Sequence, residues 1–172
     1  MMSDEEAWRA EEEAWRAQEA AWHAEADSVF AALLAKVEVE RPAPGSRFVS
    51  ELESEAAGWL VSLALRCDER EYVEAWCLRL GHGLPSGHPM LGLSGLCIGH
   101  LSRRFGCVSS EARALVEELA ARCRRDPTDV DGNAISGLED VESYAPRHPR
   151  IAKLARWPRR TWYRLRSKFG RS

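Results

Sequence analysis

The side chains in this 172-residue sequence with the widest chemical range are five histidines and five cysteines. Cys97 and His100 stand three apart in a helical pattern, so their side chains lie near one another. A tetrahedral metal site needs two further ligands at suitable spacing. Cys67, Cys77, Cys107 and Cys123 are scattered singly with no C-x-x-C pair, so neither a metal nor a cofactor is expected. His100 is expected as a core histidine, bonded to a backbone carbonyl or to Ser94 or Ser102. His82 and His88 flank the loop GHGLPSGH and read as turn residues. An odd number of unpaired thiols fits a reduced, cytoplasmic compartment.

Nucleophilic chemistry has an equally thin basis. The run GLSGL lies inside a helical pattern, whereas a nucleophile elbow follows a strand. No phosphate-cradling glycine loop is present. Glu139, Asp140 and Glu142 cluster near the end of a helix, but adjacent helical residues point about 100° apart. They read as an exposed acidic rim suited to contacting a partner, and no catalytic group is assigned.

The strongest chemical signal is the carboxyl-terminal segment, where ten bases and no acid follow residue 144. Arg156, Arg159, Arg160, Arg164, Arg166 and Lys168 are interleaved with Trp157, Trp162, Tyr163 and Phe169. Phosphate contact combined with base stacking, or an anionic membrane surface, would suit that composition. So would docking on an acidic part of the same chain. Residues 1–40 supply one, with eleven acids against three bases. The net charge of −3 conceals this polarity.

The elements that must position these groups are helices. Ser3 and Glu6 make a capping-box start to a helix over residues 3–37. Trp8, Trp15 and Trp22 recur every seven residues with Val29 continuing the series, and Ala7, Ala10, Ala14, Ala17, Ala21 and Ala24 form a small-residue stripe. Such a stripe lets another helix approach closely, with the tryptophans covering its rim. That helix belongs either to a partner or to this molecule's own core. The run Arg41-Pro42-Ala43-Pro44-Gly45 ends the element.

Five shorter patterns follow, at about 48–67, 68–80, 89–105, 110–124 and 133–144, with no period-two alternation. Helix starts near 69 and 110, and near 89 and 132, repeat at a spacing typical of HEAT-like or armadillo-like units. The segment from Pro89 to Phe105 is apolar nearly all round, so it belongs between neighbours. Gly92, Gly95 and Gly99 fall on one side of it. Together they cost about 3 kcal/mol of helix propensity, which close helix–helix approach would offset.

The expected class is therefore all-α, a HEAT-like stack of antiparallel helix pairs with a long amino-terminal helix and a basic helical tail. Its parts are an acidic tryptophan-heptad helix (1–40), a helical domain (46–145) and the basic aromatic tail (146–172). No apolar run is long enough to span a membrane.

Residues 59–144 resemble a family of small bacterial HEAT-like proteins found beside polymorphic or contact-dependent toxins and regarded as immunity proteins. The resemblance rests on VEAWCLRL at 73–80, GLCIGHLSRRFG at 95–106 and LEDV at 138–141. It implies a stoichiometric binder that neutralises a toxin by covering it, with no catalytic residue to carry over. The expectation is a non-enzymatic protein-binding module. The competing expectation is an adaptor that grips nucleic acid or anionic membrane through its tail.

Overall fold

The computed structural model describes residues 4–39 and 50–145, which form six α-helices and no strand. They are α1 (Asp4–Val39), α2 (Glu51–Arg66), α3 (Arg70–Gly83), α4 (Pro89–Phe105), α5 (Ser110–Arg125) and α6 (Asn133–Tyr144). The all-α expectation holds, and the glycine-rich helix and the last helix begin and end where the sequence placed them. The basic tail, including Arg156, Trp157, Arg159, Arg160, Trp162, Arg164, Arg166 and Lys168, lies outside the described residues.

Local chemistry explains most of the boundaries. Ser50 caps α2 through a complete capping box: its hydroxyl accepts from the Glu53 N–H, and the Glu53 carboxylate accepts from the Ser50 N–H. Gly106 ends α4 in the left-handed region at φ 68°, which favours glycine. Two expectations fail. The sequence reads Asp68 with Glu71 as the cap of the second short helix, but Asp68 caps nothing; its carboxylate accepts from Arg104, and α3 starts after Glu69 without a side-chain cap. His88 is not an exposed turn residue. It is buried and caps α4, its Nδ1 accepting from the Met90 N–H.

Contacts across the molecule set the directions of the helices. Residues 23, 27 and 34 of α1 meet residues 72, 76 and 83 of α3. Glu74 of α3 holds the N–H of Ser109, just before α5, while Gly81 faces Leu115. The odd-numbered helices are thus parallel neighbours in one layer. In the other layer, α2 lies parallel to α4: Glu53 meets His88 near their starts, and Arg104 reaches the Ala64 and Cys67 carbonyls at their ends. Helix α4 runs parallel to α6, with Gly92 beside Asp131, Gly95 beside Ala134 and Arg103 beside Asp140. Consecutive helices are antiparallel, so the described chain is three stacked hairpins.

One apolar core runs through all six helices, from Phe30 and Leu33 through Leu60, Leu63, Leu80, Leu91, Ile98 and Leu119 to Val141. The second half of α1 belongs to it. The glycine stripe of α4 also does what its position requires. It lies against α6, where Gly137 faces it from the other side. A Cβ on Gly99 would sit 2.8 Å from the Gly137 Cα, so the two backbones touch.

The loops are tied together at the other end of the stack. Asp129 accepts two bonds from Arg122, at 2.9 and 2.7 Å, and one at 2.7 Å from the Ser86 hydroxyl in the α3–α4 loop. Arg122 is the main reason its carboxyl falls from 3.8 to about 2. That stabilisation is fully present above pH 4 and is lost as pH falls from about 4 towards 2. We expect it to amount to about 1 kcal/mol after solvent screening. Asp129→Asn should flatten the stability profile over that window, measured by urea denaturation at successive pH values.

Candidate functional site

The most organised polar cluster outside the capping boxes lies at the seam of α1 and α3. Asp27 projects from α1, and its Oδ1 accepts from the Tyr72 hydroxyl and from the Trp76 Nε1–H, each at 2.7 Å. The Tyr72 hydroxyl also lies 3.2 Å from the His23 carbonyl. Burial first, and the Asp27 carboxylate second, push the Tyr72 phenol well above its ordinary pKa. Tyr72 is therefore a fixed donor across the physiological range.

Aromatic stacking organises the same seam. The rings of His23 and Tyr72 stack with centroids 4.1 Å apart, and Phe30 packs on Trp76 at 4.8 Å. The Arg79 guanidinium lies 4.1 Å from the Trp76 ring centroid, a cation–π contact. Asp27, Ala31, Tyr72, Ala75, Trp76 and Arg79 line an open cleft of about 370 Å³. Both bonds to Asp27 go to one oxygen, and Ala31 and Ala75 form low walls beside it. Helical spacing explains the assembly: 23, 27 and 31 share a face of α1, while 72, 75, 76 and 79 share a face of α3.

Cys67 approaches this cluster from the end of α2, with its sulfur 3.4 Å from the His23 Nε2. The pair has the composition of an activated thiol but not its electrostatics. Burial pushes the Cys67 thiol up to about 11, so it stays protonated and un-nucleophilic at neutral pH. Cys97 is pushed up to about 12 by burial, and the fully buried Cys77 is also raised. Among the described residues no three histidines, cysteines or carboxylates gather as a metal would require.

The other sequence candidates are dispersed. His100 is half-buried, and burial lowers its pKa. The hydroxyls expected to hold it point elsewhere: Ser94 donates to the Met90 carbonyl and Ser102 to the Gly99 carbonyl. The acidic rim is divided. Glu139 and Glu142 are exposed, but Asp140 is buried and accepts from Arg103 at 2.5 Å. Helix α6 lies so close to α4 that position 140 is held between them instead of facing solvent.

The two stripes of α1 also separate. Trp22 and Val29 pack on the core, and Ala26, Phe30 and Leu33 are buried beside them. Ala21, Ala24, Ser28 and Ala35 are exposed on the opposite side. The tryptophans do not rim the alanine stripe. Trp76 is buried in the core, while Trp59 and Tyr72 are half-buried and pack against it.

Sequence reasoning missed the Asp27 cluster because its members come from segments 45 to 49 residues apart. The one available signal was an aspartate on the apolar side of a helix otherwise rich in alanine. No family model, curated protein or solved structure matches this chain. No described helix is long and apolar enough to cross a membrane.

Proposed function

We propose that this chain is a binding protein with a HEAT-like helical scaffold, acting as an immunity protein that covers the active surface of a bacterial toxin. The observation that carries the reading is the pairing of two layers of parallel helices with an open aromatic cleft on their first seam. Stacked hairpins distribute contacts along a rigid surface, the arrangement by which helical-repeat proteins grip other macromolecules. Trp, Tyr and Arg dominate the energetics of such surfaces, and Tyr72 and Arg79 stand together at the cleft over the buried Trp76.

The partner's anchor is a side chain that reaches the Asp27 carboxylate between Ala31 and Ala75. Glu139 and Glu142, on another part of the surface, contribute charge that raises the encounter rate. The test is reconstitution with the toxin-type proteins encoded beside its gene. A 1:1 complex at micromolar concentration is expected, weakened at least tenfold by Arg79→Glu with the fold intact. Absence of any complex at that concentration would overturn the reading.

A further inference from the structure

Helix α1 is far longer than the stack it belongs to. At 36 residues it spans about 54 Å, while its neighbours have 12 to 17 residues. It joins the core only from Trp22 onward, so residues 4–21 overhang by about 27 Å. The overhang repeats the core-facing side of the helix. Trp15 and Trp8 lie one and two heptads before Trp22 and so continue its face, drifting only about 20° per heptad. They are 46% and 43% exposed. Glu11, Glu12 and Glu19 fall on the same side. Residues 4–21 hold seven acids and two bases, and both bases lie in ion pairs along the helix, Arg9 with Glu5 and Arg16 with Glu12.

The last described helix also ends in the right place. The overhang leaves the stack where His23 meets Cys67 at the end of α2 and Tyr72 near the start of α3. That same end holds the end of α4, through Arg104 on the Cys67 carbonyl, and the end of α6, through Arg103 over Tyr144. Residues 146–172 therefore depart from the end from which the aromatic–acidic face projects. The breadth of the stack is about 20 Å at ordinary helix spacing. About six extended residues cross it, which leaves some twenty to lie along α1.

A second copy of the chain does not suit this face, because it would set one acidic surface against another. The tail suits it in both respects. Its bases match the carboxylates and can stack on the indole faces, and its aromatic residues can pack between them. We propose that the basic aromatic segment 146–172 docks along the tryptophan-bearing face of residues 4–22 as an internal strap. The proposal stands independently of the toxin reading, since it concerns contacts within one chain.

The test is hydrogen exchange on the full-length protein. A solvent-surrounded overhang of this length frays and exchanges quickly, whereas a strapped one is protected. Residues 5–20 are expected to be protected at low salt. Reversing Arg156, Arg159, Arg160, Arg164, Arg166 and Lys168 to Glu should accelerate their exchange at least tenfold and leave residues 51–145 unchanged. Adding Glu11→Lys, Glu12→Lys and Glu19→Lys to that variant should restore protection.

Should the reversed chain lose protection throughout, the unaltered protein decides. Raising salt from about 0.05 to about 1 M shortens the Debye length to about 3 Å and should accelerate residues 5–20 selectively. Three results would overturn the strap. One is exchange of residues 5–20 that neither charge reversal nor salt alters. Another is protection that rises with protein concentration, which assigns the face to a second copy. The third is protection that appears only on adding duplex DNA or phosphatidylserine vesicles.

Discussion

Gly137→Ala should destabilise the protein by about 3 kcal/mol or more, or prevent it from folding. In an exposed helix interior the same change stabilises by about 1 kcal/mol, so the expectation reverses the ordinary sign. A Cβ at Gly137 would stand 2.1 Å from the Gly95 carbonyl oxygen, 2.4 Å from its carbon and 2.8 Å from the Leu96 nitrogen. All three are backbone atoms of α4, which cannot turn aside as a side-chain end could. The control is Gly58→Ala in α2, where an added Cβ meets nothing within 4 Å. It should stabilise by about 0.5–1 kcal/mol. Urea denaturation of both variants provides the test. Equal stabilisation by the two would mean that α4 and α6 do not touch at their backbones.

Asp27→Ala should cost about 3 kcal/mol, and Asp27→Asn much less. The alanine leaves two donors, the Tyr72 hydroxyl and the Trp76 indole N–H, without the oxygen that both now share. A hydrogen bond to a charged group contributes about 1.5–3 kcal/mol, and a stranded buried donor costs a similar amount. Trp76 is the more sensitive of the two, being 4% exposed, whereas Tyr72 retains the His23 carbonyl. Asparagine keeps an accepting oxygen and should retain most of the stability. Thermal unfolding should rank wild type above Asp27→Asn and Asp27→Asn above Asp27→Ala. Equal losses for the two variants would mean that packing at position 27, not acceptance, holds the seam.

These expectations separate what a chain announces locally from what it reveals only when folded. Helix existence was legible throughout, because apolar spacing and caps are properties of neighbouring residues. Pro89 and Gly106 bracket α4 by their own backbone preferences. The three glycines of α4 also announced a close approach, since nothing else would offset their propensity cost. Their partner was not announced. Gly137 is one glycine in a short helix, and its meaning depends on which helix lies opposite.

The same division applies to the polar residues. Spacing along α6 placed Glu139, Asp140 and Glu142 together, yet packing turned Asp140 inward to Arg103 and left the other two in solvent. The heptads of α1 were plain in the sequence, but its two stripes separated when one became the core face and the other the outer surface. Composition and periodicity determined an all-α protein with a long acidic helix and a basic end, because each follows from residues near in sequence. Only the tertiary structure brought Asp27 to Tyr72 and Trp76, His23 to Cys67, and Gly95 to Gly137. Those contacts depend on how helices distant in sequence pack against one another, and local spacing does not encode that arrangement.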